Sequence, residues 1–156
     1  MKRILFNDFD KLLWDELVIQ FGGSIFYTVW RIKYMETYAI DNNIENHSFV
    51  LQKNNEVVAL VPIFIETING KKQISCAEDS VFSPLFSPAL SQKTTRQYFS
   101  YIINVIDDLN EKYSLRLAKF QISSLLVKKN PRIYSNNYYL LHQYQDNLLL
   151  NCYVNK

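Results

Sequence analysis

Apolar side chains recur along this chain at two different spacings, and the switches between them set out an order of elements. Arg3 to Phe6 predicts a short first strand. Asp8 then caps a helix running to about Phe21, in which Phe9, Leu12, Leu13, Leu17 and Val18 repeat at three and four residues. Gly22 and Gly23 stop it. A second helix fits Thr28 to Ile40, with Val29, Ile32, Met35, Glu36 and Ala39 in helical register, and Asp41-Asn42-Asn43 closes that segment.

The period then shortens. Ser48 to Lys53 reads as a strand, Asn54-Asn55 as a tight turn, and Glu56 to Thr67 as a longer strand rich in Val and Ile. Asn69-Gly70 is a strong hairpin signal, because both residues tolerate positive φ in a type I′ turn. Lys71 to Ala77 returns as a third strand, completing an antiparallel meander with a bulge or an edge position at Pro62. Glu78 to Leu90 is a loop carrying Pro84 and Pro88. Ser91 or Thr94 caps the clearest helix of the chain, which ends near Tyr113 and repeats Phe99, Ile102, Ile103, Ile106 and Leu109 on one face. Leu115 to Ile122 is another strand, and a shorter helix runs from Ser123 or Ser124 to about Ser135, disturbed by Pro131. Asn136-Asn137 supplies its left-handed stop, and Tyr138 to Tyr144 with Leu148 to Val154 predicts a last hairpin.

Composition narrows the class. The chain has 156 residues, 48% of them hydrophobic and 21% charged, which suits one globular domain spanning 1–156. A net charge of +2 is too small for a strongly basic nucleic-acid binder. The longest apolar run, Val57 to Ile65, falls far short of the ~20 residues of a membrane span. Met1 to Phe6 meets Asn7 and Asp8 at once, so no signal-peptide segment is expected. Cys76 and Cys152 make neither a disulfide framework nor a metal spacing, which points to a reducing, cytoplasmic setting. Only three glycines occur, Gly22, Gly23 and Gly70, so neither a Walker loop nor a dinucleotide fingerprint can be written.

The resulting order, β-α-α-β-β-β-α-β-α-β-β, resembles the complete element string of the GNAT acyltransferase fold, a mainly antiparallel α+β architecture with a centrally splayed mixed sheet. The segments Ile25-Phe26-Tyr27-Thr28-Val29-Trp30, His47 to Leu51 and Glu56 to Phe64 resemble more narrowly its FemAB-like branch. That resemblance implies acyl or aminoacyl transfer to an amine or hydroxyl of a small-molecule or glycan acceptor, in bacterial cell-wall or surface-polysaccharide synthesis. It implies acetyl-coenzyme A or aminoacyl-tRNA as donor, and a second GNAT-like domain or a second copy as partner. The chain matches one such domain, either free-standing or the amino-terminal half of a longer protein. Trp30, with Tyr27 beside it, would stand at the acceptor cleft. Asn130 to Tyr139 is similar to the segment in which a helix ends in a Tyr; the resemblance makes Tyr134 the general acid toward the leaving thiolate.

In such a fold the donor pyrophosphate rests on the amino-terminal end of the long helix, where N–H groups and the dipole favour anions. Here that end carries Ser91, Lys93, Thr94, Thr95 and Arg96. The preceding Ser83 to Ala89 run has no glycine and two prolines, which removes donors a pyrophosphate would use. A non-catalytic binding or assembly module on the same fold is therefore the competing expectation. Glu78 and Asp79, at the end of the third meander strand, suit a general base acting through water. Cys76, His47 and Asp79 could form a nucleophile, base and orienter, although no motif joins them. Two histidines without ligand spacing argue against a metal site. Lys128, Lys129 and Arg132 make a small basic patch able to touch tRNA or simply to face solvent.

Overall fold

The computed structural model describes residues 1–38, 43–77, 80–134 and 137–142. The chain belongs to the mixed α+β class, with antiparallel ladders and five α-helices among the described residues. Strand β1 (Lys2–Leu5) leads into a 3₁₀ turn at Phe6–Asp8 and helix α1 (Lys11–Gln20). The cap of α1 is Asp10 rather than Asp8: its carboxylate accepts from the N–H groups of Leu12 at 2.8 Å and Leu13 at 3.0 Å. The buried stripe is Trp14, Leu17, Val18 and Phe21, at the same three- and four-residue spacing, while Leu12 and Leu13 are exposed. Gly22 ends the helix at φ +76°, with its N–H donating to Ile19 C=O and that of Gly23 to Val18 C=O, the paired bonds of a Schellman stop. A 3₁₀ turn at Ile25–Tyr27 precedes helix α2 (Val29–Tyr38), whose Ile32 and Met35 are buried as the spacing implied.

The meander is present, with a break that the pattern did not show. Its first ribbon is β2 (Ile44–Asn46) then β3 (Phe49–Lys53), and its second is β4 (Glu56–Val61) then β5 (Phe64–Ile68). Asn46 faces Phe64 and Phe49 faces Val61, so the antiparallel register passes through the break with no residue inserted. Pro62 is thus neither a bulge nor an edge residue. It lies where the long predicted strand bends, because its missing N–H interrupts the ladder. Ser48 repairs the gap: its buried hydroxyl accepts from Ile63 N–H at 3.1 Å and lies 3.3 Å from Ile63 C=O, while His47 N–H donates to the same carbonyl at 2.9 Å. Both hairpin turns are left-handed as expected, with Asn54 and Asn55 at φ +50° and +66° and Asn69-Gly70 at +50° and +73°.

Strand β6 (Lys71–Ile74) pairs antiparallel with β5. The chain then makes an excursion, returns as β7 (Val81–Phe82), and adds β8 (Leu85–Phe86) antiparallel to β4. Helix α3 (Gln92–Tyr113) takes Ser91 as its cap and buries all five residues of the predicted face, Phe99, Ile102, Ile103, Ile106 and Leu109. Beyond it the chain runs parallel to β6 and then to β7: Arg116 N–H donates to Lys72 C=O, Lys119 N–H to Ile74 C=O, and Val81 N–H to Lys119 C=O. Strand β9 (Phe120–Gln121) is the paired part nearest β7. Asn130 and Pro131 split the next predicted helix into α4 (Ser124–Lys129) and α5 (Pro131–Tyr134). Tyr138–His142 is a 3₁₀ turn, not a strand, and Leu148 to Val154 lies outside the described residues. Tyr138 and Tyr139 point into the core, and consecutive inward residues are incompatible with the alternation a strand would impose. No helix among the described residues is long and apolar enough to cross a membrane.

Candidate functional site

The paired strands part company at one place. Ser83 N–H donates to Gln121 C=O at 2.8 Å, and past that bond Leu85 and Phe86 turn toward β4 while Ser123 opens α4. Tyr134 fills the opening. Its hydroxyl accepts from Phe86 N–H at 2.8 Å and donates to Pro84 C=O at 3.3 Å, so one phenol ties α5 to the diverging strand and to the residue just ahead of it. Burial raises the Tyr134 pKa well above the phenol value, with the Phe86 N–H opposing that shift. The hydroxyl therefore stays protonated throughout the neutral range. Tyr138, Tyr139 and Phe99 of α3 complete an aromatic wall, and Phe120 stacks on Tyr139 at 4.9 Å. Between these side chains remains a cavity of about 10 Å³.

Tyr27 does not face solvent. It is fully buried, its hydroxyl donates to Ser83 C=O at 2.8 Å, and its own carbonyl accepts from Trp14 Nε1 at 2.7 Å. In this position it braces the wall of the opening instead of offering a face to a substrate. Burial, with smaller contributions from Tyr134 and Tyr139, pushes its pKa up strongly.

Trp30 is 62% exposed. It stacks on Tyr34 one helical turn later, with ring centres 5.6 Å apart. Arg31 lies 5.5 Å from the Tyr34 ring and 6.0 Å from the Phe26 ring, and Phe26 stacks on Phe82 of β7 at 4.7 Å. The result is an exposed aromatic face with one guanidinium set among the rings, and it reaches the strand that borders the opening. Only Trp30 of this face was singled out in the sequence. The spacing of Phe26, Trp30 and Tyr34, four residues apart, was the readable signal for the rest.

The proposed donor end of α3 is occupied by its own capping. Ser91 Oγ accepts from Thr94 N–H at 3.1 Å and contacts Thr94 Oγ1 at 2.8 Å, and Thr95 Oγ1 donates to Ser91 C=O at 3.0 Å. Thr95 is buried, whereas Lys93 and Arg96 are exposed. The loop ahead of it is equally engaged: Ser87 N–H donates to Val58 C=O, Leu90 N–H to Ser87 C=O, and Pro84 and Pro88 have no N–H. Arg132 donates to Leu90 C=O at 3.0 Å and Lys129 contacts Gly22 C=O at 3.3 Å, so two of the three basic residues tie helices to neighbouring carbonyls.

Glu78 and Asp79 lie outside the described residues. The start of their excursion is held by Glu66, a buried carboxylate absent from the sequence reading, which accepts from Ser75 Oγ and Ala77 N–H. Cys76 has the Arg31 guanidinium 4.0 Å from its sulfur. His47 contacts Glu45 at 3.3 Å and the Tyr113 ring at 5.3 Å, so the structure gives the two residues of the suggested nucleophile-base pair different neighbours. Glu45 also pairs with Lys72, and that hydrogen bond, followed by His47, holds its pKa below the usual carboxylate value. Among the described residues no cluster of His, Cys, Asp or Glu is arranged to hold a metal ion. No protein-family model matches this chain, and no match is found among curated proteins or solved structures.

Proposed function

We propose that this chain is a GNAT-fold domain of an acyl- or aminoacyl-transfer system, FemAB-like in kind, that contributes the acceptor side of the reaction. The observation that carries this reading is the parallel run that follows helix α3, with residues 116–119 beside β6 and β9 paired to β7, within ladders that are otherwise antiparallel. Acyltransferases of that fold use such a junction to receive the donor's arm. Here the junction is filled by Tyr134, Tyr138 and Tyr139, and the N–H groups ahead of α3 are spent on internal bonds. The accessible chemistry lies instead on the Phe26, Trp30, Arg31 and Tyr34 face. Aromatic faces stack on the C–H faces of sugars, and a guanidinium adds charge-assisted bonds to an acidic substituent.

Calorimetric titration of the intact chain with amino sugars and acidic sugars tests this. Binding that disappears in Trp30→Ala supports the acceptor role, and no response to any of them overturns it. In parallel, acetyl-coenzyme A should leave the melting temperature unchanged, since only a ligand of the native state raises it. A rise of several degrees would instead place a donor site in this chain.

A second reading, catalysis by this domain alone, has one specific observation in its favour: the protonated Tyr134 hydroxyl stands at the mouth of the strand junction. Tyr134→Phe would then abolish turnover per folded molecule in an acyl-transfer assay, and unchanged turnover would remove Tyr134 from the chemistry. A non-catalytic assembly module on the same fold would show neither acceptor binding nor turnover.

A further inference from the structure

Two hydroxyls in the aromatic junction, Ser83 Oγ and Tyr138 Oη, are buried with no hydrogen-bond partner among the described residues, and Ser83 and Tyr138 both line the same cavity. A buried hydroxyl left unpaired forfeits the bonds it made to water, so two beside one void require an explanation. Ser24 Oγ is a third such atom, but Ser24 does not line this cavity.

We propose that a single buried water molecule occupies this cavity and bridges Ser83 Oγ to Tyr138 Oη. The volume selects the ligand. About 10 Å³ is the space one water-sized sphere needs, and it admits no acetyl group, phosphate or hydrated ion. The chemistry agrees with the size. Every lining residue is uncharged, so no ion is balanced there, and an apolar guest would leave both hydroxyls unpaired. Water supplies two donors and two acceptors where buried waters typically make two to four bonds. Ser83 and Tyr138 provide two partners. Tyr134 also lines the cavity, and its hydroxyl, which accepts one bond from Phe86 N–H, retains a lone pair for a third. The water thereby joins the residue after β7 to the Tyr138–His142 turn, whose rings pack on Phe99 of α3 and Phe120 of β9.

A crystal structure of the intact chain at about 1.5 Å tests the site directly. Density for a solvent oxygen within hydrogen-bond distance of both hydroxyls supports it. A dry cavity, or a direct bond from either hydroxyl to protein, overturns it. Stability gives an independent answer whose sign differs between the alternatives. If the water is present, Tyr138→Phe strips it of a partner, and the melting temperature falls by about 2 °C or more. If the hydroxyl is merely unpaired, Tyr138→Phe removes a buried penalty and the melting temperature holds or rises. Ser83→Ala should behave likewise. Because both hydroxyls serve one water, the double variant should lose less than the two single losses added together, and strict additivity would overturn the bridge. None of these outcomes depends on whether sugars bind at Trp30.

Discussion

The two tryptophans stand on consecutive helices and have opposite fates. Trp14 of α1 is fully buried, meets Phe6 edge-on at 5.0 Å and Phe9 at 6.4 Å, and donates its indole N–H to Tyr27 C=O. Trp30 of α2 is mostly exposed and stacks on Tyr34, itself exposed. The indole's large apolar area accounts for the first, since burying it contributes to the core what few other side chains can. The second stays at the surface with Tyr34 and Arg31 beside it, on the face to which the proposed acceptor role assigns ligand contact, and the contrast sets an indole that holds the core against one that does not.

The largest effect expected from this contrast is at Trp14. Trp14→Ala removes a fully enclosed side chain and the bond to Tyr27 C=O, and should cost about 3–5 kcal/mol. Urea denaturation would measure it, and a loss under 1 kcal/mol would mean that α1 packs differently from the structure described. Tyr27→Phe comes next. It leaves Ser83 C=O without the hydroxyl that donates to it, for an expected loss of about 1–3 kcal/mol in the same measurement.

Why was Trp14 not read as core from the sequence? The spacing of Phe9, Leu12, Leu13, Leu17 and Val18 gave a helical stripe, and the helix exists. A second stripe, Trp14, Leu17, Val18 and Phe21, has the same spacing and is the one buried, and the start of the helix was open as well, because Asp8 and Asp10 are equally good capping residues. The 3₁₀ turn at Phe6–Asp8 decides between them, and Lys11 Nζ, donating to the carbonyls of Phe6 and Phe9, reinforces that turn. Helix α3 had no such ambiguity: its apolar face is long enough to fix the phase by itself, and all five predicted positions are buried. The turns were legible because Asn54-Asn55 and Asn69-Gly70 tolerate positive φ.

The site was less legible. Trp30 and Tyr134 were marked by their surroundings in the sequence, whereas Ser83 meets Tyr27, and Phe82 meets Phe26, only through contacts distant along the chain. The bent ribbons are a similar case. Pro62 announced a disturbance, but Ser48, fourteen residues earlier, determines how the disturbance is absorbed.

The tyrosines bring pH into the comparison. Tyr27 and Tyr134 titrate higher in the folded chain than the phenol value of about 10 expected when unfolded, chiefly because burial disfavours the phenolate. Their contribution is therefore fully present below about pH 10. It is lost as pH rises further, since the unfolded chain releases those protons first. Each tyrosine should add up to about 1.4 kcal/mol of lost stability per pH unit above that point. Melting temperatures from pH 8 to 11 should fall more gently in Tyr134→Phe than in the parent chain. Parallel curves would mean that the hydroxyl is reached by water when folded.

The smallest expected change in stability is the one that bears most on function. Trp30→Ala deletes a side chain whose stacking partner is itself at the surface, and substitutions of that kind usually stay within about 0.5 kcal/mol. The helix supports this, because α2 is anchored from the opposite side by Ile32 and Met35, and alanine is the better helix former. A change so small would leave sugar titration of the variant interpretable, since the folded fraction would be unaltered. If Trp30→Ala instead destabilises the chain by 2 kcal/mol or more, Trp30 is a structural residue like Trp14, and the division between a core indole and a ligand-facing one collapses. If stability holds and binding is lost, the exposed stack exists for its ligand.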